Sequence, residues 1–440
     1  MERVITCTIS RSDSRTFFIW QPRGRASERS PTARDSAWCT MGLLRQPNFP
    51  PAFFLLLLLV VPLHQTAPST IFWAAPAILI SALLIAWAAE ASQFFMAQGF
   101  ALAILAWMQT LPEFAVEGVF AWTRQVPLLM ANLTGALRLL TGVGWPLIYL
   151  TASFFHRRRG KTPLRAIQLD PHHSVEVVGL LVPLIYVSVI AAKGSLTILD
   201  AIVLIAIYCG YLWLLSKLPP EKPESVDELE TIPRAIVTAP RKWRIATIAA
   251  LFGGGGLLIY IAAHPFADSL LAIAATLGVP SFIMVQWIAP LVSEFPELAS
   301  TTYFARTTER APMALMNMVS SNINQWTLLV AMLPIVYSLS IGHAEIIPLD
   351  TQQRLELMMT LGQALVGLMF LLNMSLAWWE ALALFVLFVI PLAIPLAAKP
   401  VTMIYFAWAG IDLFRITRGG RVPAAIEQFA ATWRASVNRS

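Results

Sequence analysis

The sequence predicts an all-α protein that crosses a membrane many times. Of its 440 residues, 57% are hydrophobic and only 13% are charged, and the mean hydropathy is +0.66. Apolar stretches of about 20 residues, the length at which a helix crosses a bilayer, recur along most of the chain. This composition excludes a soluble globular protein.

The apolar stretches fall into two sets of five, at 69–216 and 245–397, with a polar segment, 217–244, between them. The predicted spans are 69–90, 94–120, 126–152, 174–193 and 195–216, then 245–263, 267–302, 310–340, 355–374 and 377–397. In each set the second stretch carries a Pro-Glu pair and the third carries asparagine. An odd number of spans per set gives the two sets opposite orientations, so we predict two inverted five-helix repeats, as in secondary transporters.

The flanking segments differ from this core. Residues 1–50 are polar and rich in arginine, so we predict disorder there. Met41 begins Met-Gly-Leu-Leu-Arg, a more ordinary start for a membrane protein, which would make 1–40 a mis-assigned leader. The apolar part of 51–68 fits either a thin span or a signal-like segment. Residues 398–440 comprise a further apolar piece and a basic tail.

Basic residues cluster in three loops, which follow the third span, the fifth span and the second Pro-Glu span. All three loops lie on one side if the first span runs outside to inside, and the positive-inside rule makes that side cytoplasmic. This bias explains the net charge of +6 without a nucleic-acid partner. We therefore expect a multi-pass protein of a bacterial-type inner membrane, with lipid and transported cations as its partners and no cofactor.

Two Pro-Glu pairs, Pro112-Glu113 and Pro296-Glu297, lie at equivalent places inside apolar stretches. Proline cannot donate a hydrogen bond to the carbonyl four residues earlier, so each pair combines a freed carbonyl with a carboxylate. Such oxygens are costly in hydrocarbon, and hard cations bind them. The pattern predicts a cation site at mid-membrane between Glu113 and Glu297, with the two prolines in contact range. The alternative is a proline kink with a protonated, hydrogen-bonded glutamate.

Further polar residues accompany the two pairs. Glu117 lies four residues after Glu113, and Glu294 lies three before Glu297, so each carboxylate shares a helix face with its neighbour. Hydroxyl groups precede the prolines at Thr110 and Ser293.

These motifs resemble those of the sodium/calcium exchanger family, within the cation/calcium antiporter superfamily. That family has ten core helices in two inverted five-helix repeats. Each repeat carries Gly-Thr-Ser-Leu-Pro-Glu and, one helix later, Gly-Asn-x-x-Gly-Ser-Asn-Ile-Phe-Asn/Asp. The matching stretches here are Met-Gln-Thr-Leu-Pro-Glu at 108–113, Val-Ser-Glu-Phe-Pro-Glu at 292–297, Ala-Asn-Leu-Thr-Gly-Ala-Leu at 131–137 and Met-Asn-Met-Val-Ser-Ser-Asn-Ile at 316–323.

The resemblance implies that Glu113 and Glu297 are the metal ligands that hold the central cation. It also implies ion-binding roles for Ser321 and Gln325, although a register shift of one residue would give Ser320 and Asn324 instead. With the added carboxylate, the predicted ion-binding set is Thr110, Glu113, Ser293, Glu294, Glu297, Ser321 and Gln325.

The first half departs from the family pattern. Ala136 and Leu140 stand where the family has a serine and an asparagine, and Arg138 lies between them. The first half has therefore lost ligands, while the second has gained a carboxylate. For Arg138 we predict a buried ion pair with Glu113 or Glu117, with a snorkelling position at the span end as the alternative.

These observations predict a secondary active antiporter that exchanges Ca²⁺ or another cation for Na⁺ or H⁺ by alternating access around the two Pro-Glu motifs. The lost ligands favour an alternative, an exchanger-fold protein that acts as a sensor or partner without transport. A less favoured alternative is an intramembrane enzyme that uses the paired carboxylates, although metal-ligand spacing, a Ser/His pair and a nucleotide-binding loop are missing from the sequence.

Overall fold

The computed structural model of the protein describes residues 9–12, 15–18, 67–92, 94–95, 110–216, 229, 231–419 and 423–437. The chain divides into two units, Met1–Leu59 and Val60–Ser440. In the first unit, the described residues form one antiparallel hairpin of strands β1 (Ile9–Ser12) and β2 (Arg15–Phe18). The rest of the predicted leader and the apolar segment 51–63 lie outside the described residues.

The second unit is built from α-helices, and the predicted all-α membrane fold is confirmed. Its described helices are α1 Ile71–Ser92, α2 Leu111–Trp122, α3 Val126–Leu139, α4 Trp145–Arg158, α5 Ser174–Lys193, α6 Ile198–Ser216, α7 Thr231–Thr238, α8 Arg241–Leu277, α9 Ser281–Ser293, α10 Phe295–Phe304, α11 Ala311–Asn324, α12 Val330–Ile341, α13 Thr351–Leu371, α14 Trp378–Ala393, α15 Ala398–Thr417 and α16 Ala424–Val437. Seven helical segments among the described residues are long and apolar enough to cross a membrane.

Two short antiparallel pairings join the halves of the helical unit. Strand β3 (Ala166–Gln168) pairs with β6 (Ser375–Ala377), and β4 (Ser195–Leu196) pairs with β5 (Ile347–Pro348). In each pairing one strand comes from the first half of the chain and the other from the second.

The third span of each half has the same internal break. Helices α3 and α11 each have 14 residues, and each continues into a five-residue π-helical turn, at Leu140–Gly144 and at Gln325–Leu329. Turns of this kind are rare and occur frequently at functional sites. Their matching positions align Leu140 with Gln325, and hence Ala136 with Ser321.

The prediction of separate spans at 245–263 and 267–302 is wrong. One helix of 37 residues, α8, runs through Pro265, and the Pro-Glu segment begins only at Ser281. Helix α8 ends at Leu277 and is followed by Gly278, which adopts the left-handed conformation at φ +66°, and then by Pro280. This pair is a stronger stop than an interior proline, because glycine accommodates the positive φ and the following proline cannot continue the helix. The central loop also contains α7, and α8 starts at Arg241, inside the predicted loop.

Helix α3 packs closely against α9 at Gly135. A Cβ atom at this position would lie 2.1 Å from the backbone oxygen of Gln286, a separation that only backbone movement could relieve. We expect Gly135→Ala to destabilise the protein by about 1–3 kcal/mol, the usual cost of overpacking, and to lower the unfolding temperature of the detergent-solubilised protein. Gly256→Ala is the matched control, since nothing lies within 4 Å of its added Cβ. Equal unfolding temperatures for the two variants would contradict this packing.

Candidate cation-binding site

Each Pro-Glu motif starts a short helix inside the bundle. Thr110 precedes the first turn of α2, and Glu113 lies in that turn. In the second half, α9 and α10 meet at Glu294, and Glu297 lies in the first turn of α10. Proline favours this placement because the first turn of a helix does not need its N–H. Both glutamates therefore occupy helix N-termini, where the helix dipole stabilises negative charge.

The structure brings four carboxyl groups from both halves into one buried cluster. The exposed fraction is 1% for Glu113, 0% for Glu117, 1% for Glu294 and 9% for Glu297. Glu113 lies within electrostatic range of Glu294 and Glu297 and within hydrogen-bonding reach of the Ser293 hydroxyl. The two Pro-Glu motifs thus face a common interior.

Two residues of α11 and its π-helical turn bind the carboxylates of the second half. Ser321 donates from Oγ to Oε2 of Glu297 at 2.9 Å. Gln325 donates from Nε2 to Oε1 of Glu294 at 2.5 Å. Both side chains are buried, so the residues that the family resemblance implied lie beside the carboxylates.

Asn324 also faces the cluster, although it entered the sequence prediction only as an alternative to Gln325. Its Nδ2 donates to the Thr110 hydroxyl oxygen at 2.7 Å, across the two halves. The π-helical turn begins at Gln325, and the wider turn lets two consecutive residues reach the same interior. Ser320 points elsewhere, since its hydroxyl lies 3.2 Å from that of Tyr211. No pattern in the sequence indicated the π-helical turn.

Several buried oxygens of the cluster accept no hydrogen bond within the described part of the chain. They are Glu113 Oε2, Glu117 Oε2, Asn132 Oδ1, Glu294 Oε2, Glu297 Oε1 and Gln325 Oε1. Among the residues that the structure describes, none of these carboxylates forms an ion pair with a basic side chain. Leaving buried acceptors unsatisfied is costly, and carboxylate and amide oxygens are the ligands that hard cations take. The arrangement can therefore hold cations between the two halves of the protein.

The predicted pairing of Arg138 with Glu113 or Glu117 is wrong. Arg138 is buried, with 3% exposure, but its Nη1 lies 3.2 Å from Oε2 of Glu356 on α13. Its position explains the difference, because Arg138 follows Ala136 by two residues. Two residues rotate a helix by about 200°, so the guanidinium points away from the face of α3 that bears Ala136.

The Arg138 ion pair belongs to a second buried polar cluster. Gln286 of α9 donates from Nε2 to Oε2 of Glu356 at 2.8 Å, and the guanidinium carbon lies 5.4 Å from the ring centroid of Trp287. Gln363 of α13 donates from Nε2 to the Arg138 carbonyl at 3.1 Å. This cluster joins α3, α9 and α13 and has no hydrogen bond to the four-carboxyl cluster within the described residues.

Comparison with known proteins bears on both halves of the chain. The family model described as sodium/calcium exchanger protein matches residues 68–217 and 247–397. The crystal structure of the H⁺/Ca²⁺ exchanger CAX is 31% identical, with a TM-score of 0.77 over 86% of this chain and 93% of that one. The structure of native YfkE is 14% identical, with a TM-score of 0.52 over 81% of this chain and 99% of that one, which shows the fold alone. The sodium-calcium exchanger NCX_Mj is 16% identical, with a TM-score of 0.47 over 74% of this chain and 97% of that one. No curated protein sequence matches the chain.

Proposed function

The chain belongs to the sodium/calcium exchanger protein family, a family of membrane cation transporters and not of enzymes, and we propose that it exchanges Ca²⁺ for protons by alternating access. The cargo would bind between Glu113 and Glu297, and protons would compete for the same carboxylate oxygens. In this proposal the protein lies in a bacterial-type inner membrane, with its basic loops on the cytoplasmic side.

The four buried carboxyl groups carry this proposal. Four ionised carboxylates without basic partners are not sustainable in a site of low dielectric constant, so positive charge must enter with them. A divalent cation neutralises two of the four charges, and protons neutralise the others. Binding of Ca²⁺ then requires release of protons, and protonation displaces Ca²⁺, which is the competition that an antiporter needs.

The first half of the site favours protons over Na⁺ as the coupling ion. Ala136 and Leu140 occupy the positions equivalent to Ser321 and Gln325, and neither side chain offers an oxygen ligand. A sodium ion needs several oxygen ligands, whereas a proton needs one carboxylate. The 31% identity to a protein described as an H⁺/Ca²⁺ exchanger supports the same choice.

Flux measurements in proteoliposomes, with a pH gradient in sodium-free buffer or a Na⁺ gradient at equal pH, test the proposal. Vesicles loaded with acid should take up radioactive Ca²⁺ when the outside is made alkaline, whereas a Na⁺ gradient at equal pH should drive little uptake. Vesicles that contain the Glu297→Gln variant provide the control for leakage. Uptake that follows only the Na⁺ gradient would refute proton coupling. A protein that moves Ca²⁺ under neither gradient nor in exchange for Ca²⁺ would instead be the non-transporting sensor or partner.

A further inference from the structure

Glu117 has a different environment from the other three carboxyl groups of the cluster. It lies one helical turn beyond Glu113 on α2 and is fully buried. Its Oε1 accepts a hydrogen bond from Nδ2 of Asn132, on α3, at 3.3 Å. Within the described residues, Glu117 Oε2 and Asn132 Oδ1 have no hydrogen-bond partner, although both atoms are buried. A buried carboxylate with one long hydrogen bond needs a further positive partner.

The Glu117–Asn132 pair has no equivalent in the second half. Glu117 follows the glutamate of its Pro-Glu motif by four residues, and Thr301 is the residue at that position in the second half. The Thr301 hydroxyl donates to the Glu297 carbonyl of its own helix at 2.7 Å, so it is occupied locally. The asymmetry places one extra carboxylate on the side of the site that lacks oxygen ligands at Ala136 and Leu140.

The charge of the pair selects the class of ion. One carboxylate and one neutral amide supply a single negative charge, which a singly charged cation balances and a divalent cation exceeds. The other carboxyl groups within electrostatic range are Glu113, on the same helix, and Glu294, and both belong to the central cluster. No basic side chain forms an ion pair with Glu117 in the described part of the chain.

The Asn132 amide can serve both an empty and an occupied site. As placed, its Nδ2 donates to Glu117, which suits a carboxylate without a bound ion. Rotation of the amide by half a turn exchanges its nitrogen and oxygen, and Oδ1 then faces the Glu117 carboxylate. Two oxygens that face each other repel unless a cation or a proton lies between them, so the rotated amide and the carboxylate would ligate that ion together.

We propose that Glu117 and Asn132 form a binding site for the singly charged counter-ion, a proton in the proposed exchange, separate from the divalent cargo site of Glu113, Glu294 and Glu297. This inference rests on the proposed antiport function. It assigns counter-ion binding to Glu117 and Asn132, whereas otherwise the central carboxylates would bind both the cargo and the counter-ion. Cargo and counter-ion then occupy adjacent sites one helical turn apart.

Two modes of Ca²⁺ movement test the two sites separately. Exchange of radioactive Ca²⁺ for unlabelled Ca²⁺ across the vesicle membrane uses only the cargo site, whereas net uptake against a counter-ion gradient uses both. We expect Glu117→Gln to retain Ca²⁺/Ca²⁺ exchange within about threefold of wild type. Gradient-driven uptake should fall at least tenfold, because the neutral amide lacks the negative charge that binds the counter-ion. Asn132→Leu, which leaves the carboxylate in place, should show the same selective loss to a smaller extent.

Asn317→Ala is the matched control, since Asn317 is the repeat equivalent of Asn132 and lies half-buried on α11; both modes should stay at the wild-type level. Equal loss of both modes in correctly folded Glu117→Gln and Asn132→Leu proteins would overturn the separate site, and so would unchanged gradient-driven uptake in both variants. Wild-type protein with neither gradient-driven uptake nor Ca²⁺/Ca²⁺ exchange would refute the proposed function itself. The gradient-driven mode is measured with a pH gradient in sodium-free vesicles, and wild-type uptake that follows only a Na⁺ gradient at equal pH would overturn a proton site at Glu117.

Discussion

Replacement of Glu297 by glutamine should reduce Ca²⁺ transport by at least about 100-fold, because loss of a buried charged partner costs about 3–5 kcal/mol. Glu297 has one carboxylate oxygen anchored by Ser321 at 2.9 Å and one that accepts no hydrogen bond within the described residues. The anchored oxygen orients the group, and the other oxygen is available to the cation. Glutamine would keep the shape of the side chain but remove the negative charge that a divalent ion needs.

Glu294→Gln should have a milder effect and should mainly change the pH dependence of transport. Its Oε1 accepts the Gln325 hydrogen bond at 2.5 Å, and its backbone forms the junction between α9 and α10. Radioactive Ca²⁺ uptake at several pH values measures both variants, with Glu309→Gln as an exposed control in the loop before α11. An inactive Glu294→Gln protein together with an active Glu297→Gln protein would reverse the assignment of the principal ligand.

The parts of the fold that depend on local chemistry were predictable from the sequence. Hydropathy predicts the membrane-spanning segments, and the missing backbone N–H of proline predicts the helix breaks at Pro112 and Pro296. An interior proline by itself does not predict the end of a helix. Helix α8 continues through Pro265, because a long helix tolerates one lost hydrogen bond, and Gly278 and Pro280 end it.

The site depends on helix geometry that composition does not encode. The π-helical turn at Gln325 brings both Asn324 and Gln325 to the interior, and no residue pattern distinguishes such a turn from an ordinary α-helix. The partner of Arg138 was also inaccessible to sequence reasoning, because it depends on which face of α3 meets α13. A carboxylate one span away along the chain was the natural expectation, whereas Glu356 lies on α13, in the second half of the chain.

Loss of either partner of the Arg138–Glu356 ion pair should destabilise the protein strongly without changing ion coupling. Removal of one partner leaves a buried charge, so Arg138→Met and Glu356→Leu should each destabilise the protein by about 3–5 kcal/mol. The double variant should recover most of that loss, because replacement of a buried pair by apolar residues is often neutral. The double variant should stay about 1 kcal/mol less stable than wild type, because Gln286 loses its hydrogen bond to Glu356. The measurement is the temperature at which half of the detergent-solubilised protein remains monodisperse, for wild type, the two single variants and the double variant.

Transport by the double variant then distinguishes two roles for the arginine. If the guanidinium were a fixed substitute for a coupling ion, its removal would add dependence on Na⁺. In the structure, Glu356 neutralises the guanidinium at 3.2 Å, and Arg138 lies on a different face of α3 from Ala136. We therefore expect Arg138→Met/Glu356→Leu vesicles to keep the wild-type response to a pH gradient in sodium-free buffer. A new requirement for Na⁺ in this variant would show that the ion pair sets the coupling ion even though Arg138 lies on a different face of α3 from Ala136.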